Sequence, residues 1–129
     1  VLDRVRFSGE RQDIPRLLKG AYLFLFPSLW EGLPGALLEA CAAGTPVLAS
    51  DIAANREVAE VFPGIRLLGL EASDEEWAAA ARALLGKKPD ESGRAAALAY
   101  FRATAYTIEC CAREHVRVWE SGLAGRGED

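Results

Sequence analysis

At 129 residues, half of them apolar, the chain is long enough for one small domain that buries about two-thirds of its unfolded surface. Fifteen Lys and Arg against nineteen Asp and Glu give a net charge of −4, with no basic run interleaved with aromatics, so nucleic-acid binding has no support. No apolar run reaches about 18 residues, and the start VLDRVRFSGE lacks signal-peptide character. The cysteines Cys41, Cys110 and Cys111 are odd in number and two are adjacent, which fits free thiols in a reducing cytoplasm. One histidine, His115, and no Cys/His spacing of metal type argue against a zinc site.

Val5 to Ser8 is predicted as a short strand closed by Gly9. Asp13 suits the N-cap of a helix with Pro15 in its first turn, running to about Lys19, and Gly20 ends it. Tyr22 to Phe26 is a continuous apolar run closed by Pro27, the pattern of a parallel strand covered on both faces and flanked by neighbours. Pro34-Gly35 opens a helix that is apolar from Ala36 to Ala43 except at Glu39; Gly44 and Pro46 end it before a strand at Val47 to Ala49. Asn55 is placed to cap a short helix carrying Arg56 and Glu57, and a Pro63-Gly64 turn leads to a strand at Ile65 to Leu68.

Ser73 or Asp74 caps the following helix, with Glu75 and Glu76 in its first turn and Trp77, Ala81, Leu84 and Leu85 on one apolar face. Two more helices are predicted, from about Asp90 to about Ala105 and from Thr107 to Glu120. Tyr100, Phe101, Ile108, Val116 and Trp119 read as core anchors, and His115 as a surface or interface residue. Residues 1–120 form the domain and 121–129 a flexible tail. The alternation of elements predicts an α/β fold, a Rossmann-like parallel sheet of about four strands flanked by helices.

A lone carboxylate on a helix of Ala, Leu and Cys calls for a partner or a cavity, because burying it unpaired costs several kcal/mol by order of magnitude. Glu31 lies eight residues upstream, in the loop before the helix. Two arrangements fit. Glu39 pairs with a structural Arg or Lys and Glu31 is a solvated loop acid, or the two acids bracket a helix N-terminus that holds an anion flanked by hydroxyls. Sugar, pyrophosphate and ribose, the parts of a nucleotide sugar, have that second form. From Glu39 to the helix start is roughly 7 Å at about 1.5 Å per residue.

The run FPSLWEGLPGALLEACAAGTPVLASD resembles the donor-binding segment of the retaining glycosyltransferases of family 4, which have the GT-B fold. It matches at Pro27-Ser28, Glu31, Glu39-Ala40, Ala43-Gly44, Pro46-Val47 and Ser50-Asp51. Milder matches at Phe7-Ser8-Gly9, Asp13, Asn55-Arg56-Glu57-Val58 and Trp119 extend the similarity over nearly the whole chain. The resemblance implies part of a GT-B C-terminal lobe that binds a nucleotide-diphosphate sugar. It assigns the catalytic position, contacting the transferred sugar, to Glu31 and the ribose hydroxyls to Glu39. Leu33, Gly35 and Ala36 line the phosphates, and the backbone of Gly9, Glu10 and Arg11 lies beside the base. No cofactor and no metal are expected.

Two departures from the family pattern stand out: Ala53-Ala54 replace a usual Gly-Gly pair, and no residue matches the Arg and Lys that neutralise the pyrophosphate. Pro34 also offers no N–H. These departures imply a partial lobe whose N-terminal acceptor lobe is missing, inactive alone and prone to homodimerise through an exposed sheet edge. The acceptor, whether sugar, lipid or small molecule, stays open. The implied location is cytoplasmic, with the full-length protein peripheral at the inner membrane as an option. A non-catalytic nucleotide-sugar module and a ligand-free flavodoxin-like interaction domain are the alternatives.

Overall fold

A computed structural model describes residues 2–124, and the side chains of residues 3–121. After a 3-10 turn at Leu2–Arg4 the described residues form α1 (Ile14–Gly20), β1 (Phe24–Phe26), α2 (Gly35–Ala43), β2 (Val47–Ser50), α3 (Ala53–Val61), β3 (Ile65–Leu68), α4 (Asp74–Leu85), α5 (Glu91–Arg102) and α6 (Ile108–Ala124). The strands make one parallel sheet in the order β1-β2-β3. Phe24 lies opposite Val47, and Val47 opposite Ile65.

All four side chains of β2 are buried, because helices cover both faces of the sheet. Val47 and Ala49 join a cluster with Leu18 of α1, Leu37, Leu38, Ala40 and Ala43 of α2, and Val58 of α3. Leu48 points the other way, onto Ala80 and Leu84 of α4, with Trp77 and Ala81 alongside. The α4 helix starts with the expected capping box: Ser73 accepts from the Glu76 N–H, and the Ser73 N–H donates to Glu76 at 2.8 Å. That backbone hydrogen bond, reinforced by the Ser73 hydroxyl, holds the Glu76 carboxyl below its ordinary value. Asp90 caps α5 by accepting from the Gly93 N–H at 2.8 Å.

At the end of α2 the chain turns through Gly44, whose φ of 68° lies in the left-handed region. Its N–H returns to Ala40 and Cys41, and the Thr45 hydroxyl donates to the Leu18 carbonyl at 2.7 Å. The helix is thereby anchored to α1. A Cβ at position 44 would lie 3.1 Å from Ala97 Cβ on α5, so glycine is required there for space as well as for φ.

Several expectations are corrected. The sheet has three strands, not four. Val5 to Ser8 is irregular and exposed, with Phe7 at 90% exposure, because an extended segment becomes a strand only where a neighbour accepts its backbone hydrogen bonds. As a result β1, expected to lie inside the sheet from Tyr22 to Phe26, is an edge strand of Phe24–Phe26. Leu25 is half exposed, and Tyr22 lies outside the strand beneath Lys88, whose Nζ sits 4.3 Å from the ring centroid and donates to Gly20 O.

Asn55 does not cap α3; it lies inside the first turn, fully buried, and Ile52 occupies the N-cap position. Asp13 takes the N-cap position of α1 without a side-chain cap bond. Tyr100 meets the Phe62 ring edge-on at 5.8 Å but is half exposed, at the margin of the core. Phe101 does pack on Phe62, with ring centroids 5.7 Å apart. Ile108, Val116 and Trp119 do not, since they are exposed on α6. Leu85 is likewise exposed, while Ala80 takes the buried place on α4. His115 is on the surface. Of the tail predicted at 121–129, α6 carries residues to Ala124, and residues 125–129 lie outside the described residues.

The Gly44 turn makes a direct prediction. Gly44→Ala meets left-handed strain of about 1–2 kcal/mol plus the contact with Ala97. The expected result is an unfolding free energy lowered by at least that amount, read as a lower urea midpoint; an unchanged midpoint would contradict the packing described.

Candidate functional site

The polar groups of the sheet gather at its carboxyl end. There β1 ends in Phe26 and β2 in Ser50, and the helices α2 and α3 begin. The Ser28 hydroxyl donates to Glu31 Oε1 at 2.7 Å, which orients that half-buried carboxylate in the loop before α2. The Ser50 hydroxyl donates to the Ser28 carbonyl at 2.5 Å. Asn55 Nδ2 donates to the Ser50 carbonyl at 2.9 Å and to its hydroxyl oxygen at 3.2 Å. Beside them Arg56 donates to Asp51, and this hydrogen bond, ahead of the Arg56 charge, keeps the Asp51 carboxyl below its ordinary value.

The nine residues of α2 bury Leu37, Leu38, Ala40 and Ala43. Gly35, Ala36 and Glu39 are exposed, and their i, i+3 and i, i+4 spacing sets them on one face. Glu39 makes no hydrogen bond or ion pair with the described residues. The expectation that it must find a protein partner or a cavity is therefore corrected: the small residues of α2 leave room for it to face solvent. At the N-terminus of α2 the Gly35 N–H donates to the Leu33 carbonyl at 2.9 Å, so it is already committed. Pro34 has no N–H, and the Ala36 and Leu37 N–H groups donate to no other described group. Leu29, Trp30 and Leu33 of the same loop are 80%, 82% and 68% exposed, an apolar rim around Glu31.

Glu31 and Leu33 thus lie in the loop before α2 and Gly35, Ala36 and Glu39 on its exposed face, Glu31 half-buried and the others exposed. The segment Gly9, Glu10, Arg11 lies apart from them in sequence, in the exposed approach to α1. Arg11 is engaged there by Asp13 through two hydrogen bonds of 2.8 Å, which raise the guanidinium and lower the carboxyl from their ordinary values. The functional geometry also includes Asn55, which its amide character suggested as a cap. Asn55, Val58 and Phe62 follow the i, i+3, i+7 spacing of a buried stripe, and that spacing is the signal that could have placed it inside.

A cavity of about 670 Å³ opens at the other end of the sheet, among Cys41, Thr45, Val47, Phe62, Ile65 and Tyr100. Its walls are mainly apolar, and none of the predicted site residues lines it. Burial pushes the Cys41 thiol up to about 12, which makes it a poor nucleophile. Among the described residues no group of three or more His, Cys, Asp and Glu side chains could share a metal ion, and no helix is long and apolar enough to cross a membrane.

An open parallel sheet covered by helices, with hydroxyls, a carboxylate and a helix N-terminus at its carboxyl end, defines an α/β domain of the Rossmann-like class. Residues 1–87 match the family described as Glycosyl transferases group 1, and the chain belongs to that family. It is 35% identical over 122 residues to the lipopolysaccharide core biosynthesis mannosyltransferase LpsB of Rhizobium meliloti, covering 92% of this chain and 34% of that protein. It is 48% identical over 52 residues to the UDP-Gal:alpha-D-GlcNAc-diphosphoundecaprenol alpha-1,3-galactosyltransferase of Escherichia coli, covering 40% of this chain and 13% of that one. The capsular polysaccharide biosynthesis glycosyltransferase CapH of Staphylococcus aureus is 37% identical over 84 residues, 65% of this chain and 23% of its own length. The chain spans about a third or less of these curated relatives, from 13% to 34%. No solved structure matches it.

Cysteine labelling tests the environments described. At pH 8 a thiol with a value of about 12 is ionised to only about one part in 10,000. A thiol reagent should therefore modify the exposed Cys111 in the folded chain and Cys41 only after denaturation. Equal rates at both would mean that the α2 face carrying Cys41 is open.

Proposed function

We propose that this chain is the donor-binding part of a retaining glycosyltransferase that moves a sugar from a nucleotide-diphosphate sugar to an acceptor. The observation that carries the reading is the pair of acids around the start of α2. Glu31 stands before the helix, and Glu39 lies on its solvent face with Gly35 and Ala36. Between them the Ala36 N–H is uncommitted, lies on the exposed face and sits at the positive end of the helix dipole. A diphosphate bound there would set its ribose toward Glu39 and its sugar toward Glu31, with Leu33 beside the phosphates. The backbone of Gly9, Glu10 and Arg11 takes the base side in this reading.

In the transfer, the bond from the anomeric carbon to the diphosphate breaks as a bond to the acceptor oxygen forms. The helix N–H groups stabilise the charge that develops on the leaving diphosphate, an effect that works because they are fixed in place beforehand. Cationic side chains from parts of the full protein beyond this chain complete that stabilisation, so the proposed reaction is metal-independent. An acceptor lobe belongs to the same proposal. The outer side of β1, with Leu25 half exposed, is the border to which further strands or a second copy would add. Free thiols at Cys41, Cys110 and Cys111 fit the cytoplasmic setting of this proposal.

The two acids give separable predictions. Glu39→Gln, in a protein containing the complete donor lobe, should weaken binding of a nucleoside diphosphate by about 1–3 kcal/mol in calorimetry. Unchanged affinity with the fold intact would remove Glu39 from the site. Glu31→Ala should cut turnover strongly and leave the affinity for the bare diphosphate within about threefold, under about 1 kcal/mol. Equal loss of both would show that Glu31 touches the nucleotide or only supports the loop.

A further inference from the structure

We infer that Ser50 and Asn55 are positioning residues for the Glu31 carboxylate, acting through Ser28. The inference rests on the donor-binding reading and extends it to two side chains that lie beneath the ligand surface.

The three hydrogen bonds run in one direction. Asn55 Nδ2 donates to Ser50 Oγ, Ser50 Oγ–H donates to the Ser28 carbonyl, and Ser28 Oγ–H donates to Glu31 Oε1. Ser50 Oγ both accepts and donates, so the Asn55 amide strengthens the bond from Ser50 to the Ser28 carbonyl; at Ser28 the link is mechanical, since the carbonyl accepts and the separate hydroxyl donates to Glu31. The series of bonds also crosses the fold, from the first turn of α3 through the last residue of β2 to the loop after β1. That loop carries three large exposed apolar side chains and has little packing of its own to hold it. The pin supplied by Ser50 fixes the backbone of Ser28, and the Ser28 hydroxyl then fixes Glu31.

Asn55 itself shows that the arrangement is not a matter of stability alone. The side chain is fully buried, and its Oδ1 is buried without a hydrogen-bond partner among the described residues. Turning the amide over would not relieve this, because Oδ1 would then face the Ser50 carbonyl that Nδ2 now meets at 2.9 Å. Alanine or leucine at position 55 would continue the buried stripe of Val58 and Phe62 with no orphaned acceptor. An amide that leaves one of its own atoms unsatisfied is retained for what its other atom holds. Here that is both acceptors of Ser50.

The test measures how much tighter a nucleotide sugar binds than its bare diphosphate, in the full-length protein that contains this chain. Calorimetry with UDP-galactose, UDP-glucose and GDP-mannose against UDP and GDP supplies that ratio for the wild type and for Ser28→Ala, Ser28→Thr, Ser50→Ala, Asn55→Ala and Glu31→Gln. The expected result is a ratio lowered about fivefold or more in Ser28→Ala, Ser50→Ala and Asn55→Ala, with diphosphate affinity within about twofold. Ser28→Thr, which keeps the hydroxyl, should restore the ratio, and Ser50→Ala should add little on top of Glu31→Gln.

If Glu31→Gln lowers the ratio and Ser50→Ala and Asn55→Ala leave it unchanged, the positioning role is overturned and the donor-binding reading stands. An equal loss of diphosphate and nucleotide-sugar affinity in Ser50→Ala, or no rescue by Ser28→Thr, would also overturn it. A ratio unaffected by Glu31→Gln, or a wild type that binds none of these nucleotide sugars, would overturn the donor-binding reading and the positioning role together.

Discussion

The fold depends on the burial of β2 on both of its faces. Its four side chains alternate between two helical layers, with Val47 and Ala49 against α1, α2 and α3 and Leu48 against α4. Removing either layer would expose half of the strand, and with it the apolar area that holds the sheet together. The same strand delivers Ser50 to the surface where the helices begin. The core and the candidate site therefore share one element, and the hydroxyl of its last residue is where burial gives way to hydrogen bonding.

Parallel strands give this domain two unlike ends. At the amino ends of β2 and β3 the walls are mainly apolar and line the cavity of about 670 Å³, beside the carbonyl ends of the helices. At the carboxyl ends the helices present N–H groups instead, and the serines and Asn55 organise the intervening loop. Size alone would favour the first location for a ligand. Convergence of donors and acceptors marks the second, and the proposed donor site rests on that convergence.

Much of this was legible in the sequence. The limits of α2, β2, β3 and α4 follow from local signals, namely Pro34, Gly44, Pro46, the Pro63-Gly64 turn and the Ser73–Glu76 box, all of which act within a few residues. Properties that depend on distant neighbours were less legible. Val5 to Ser8 has strand-like composition but no partner to pair with, and β1 is apolar enough for an interior strand yet sits at the edge. Glu39 seemed trapped on an apolar helix because its neighbours Leu37, Leu38 and Ala40 are indeed buried, but Glu39 shares the opposite, exposed face with Gly35 and Ala36. Asn55 suited a cap by residue type, and only its spacing from Val58 and Phe62 put it inside. On α6, Ile108, Val116 and Trp119 read as core anchors by residue type, which does not say what lies against them.

The order of the strands also bears on how the domain forms. Each strand pairs with the one made just before it, Phe24 with Val47 and Val47 with Ile65, so every pairing closes a loop of about twenty residues. No strand has to insert between two that are already joined. The sheet can thus grow from β1 to β3 in the direction of synthesis, each helix settling onto the pair of strands it connects, so that the loop bearing Glu31 is anchored by Ser50 only once β2 has left the ribosome.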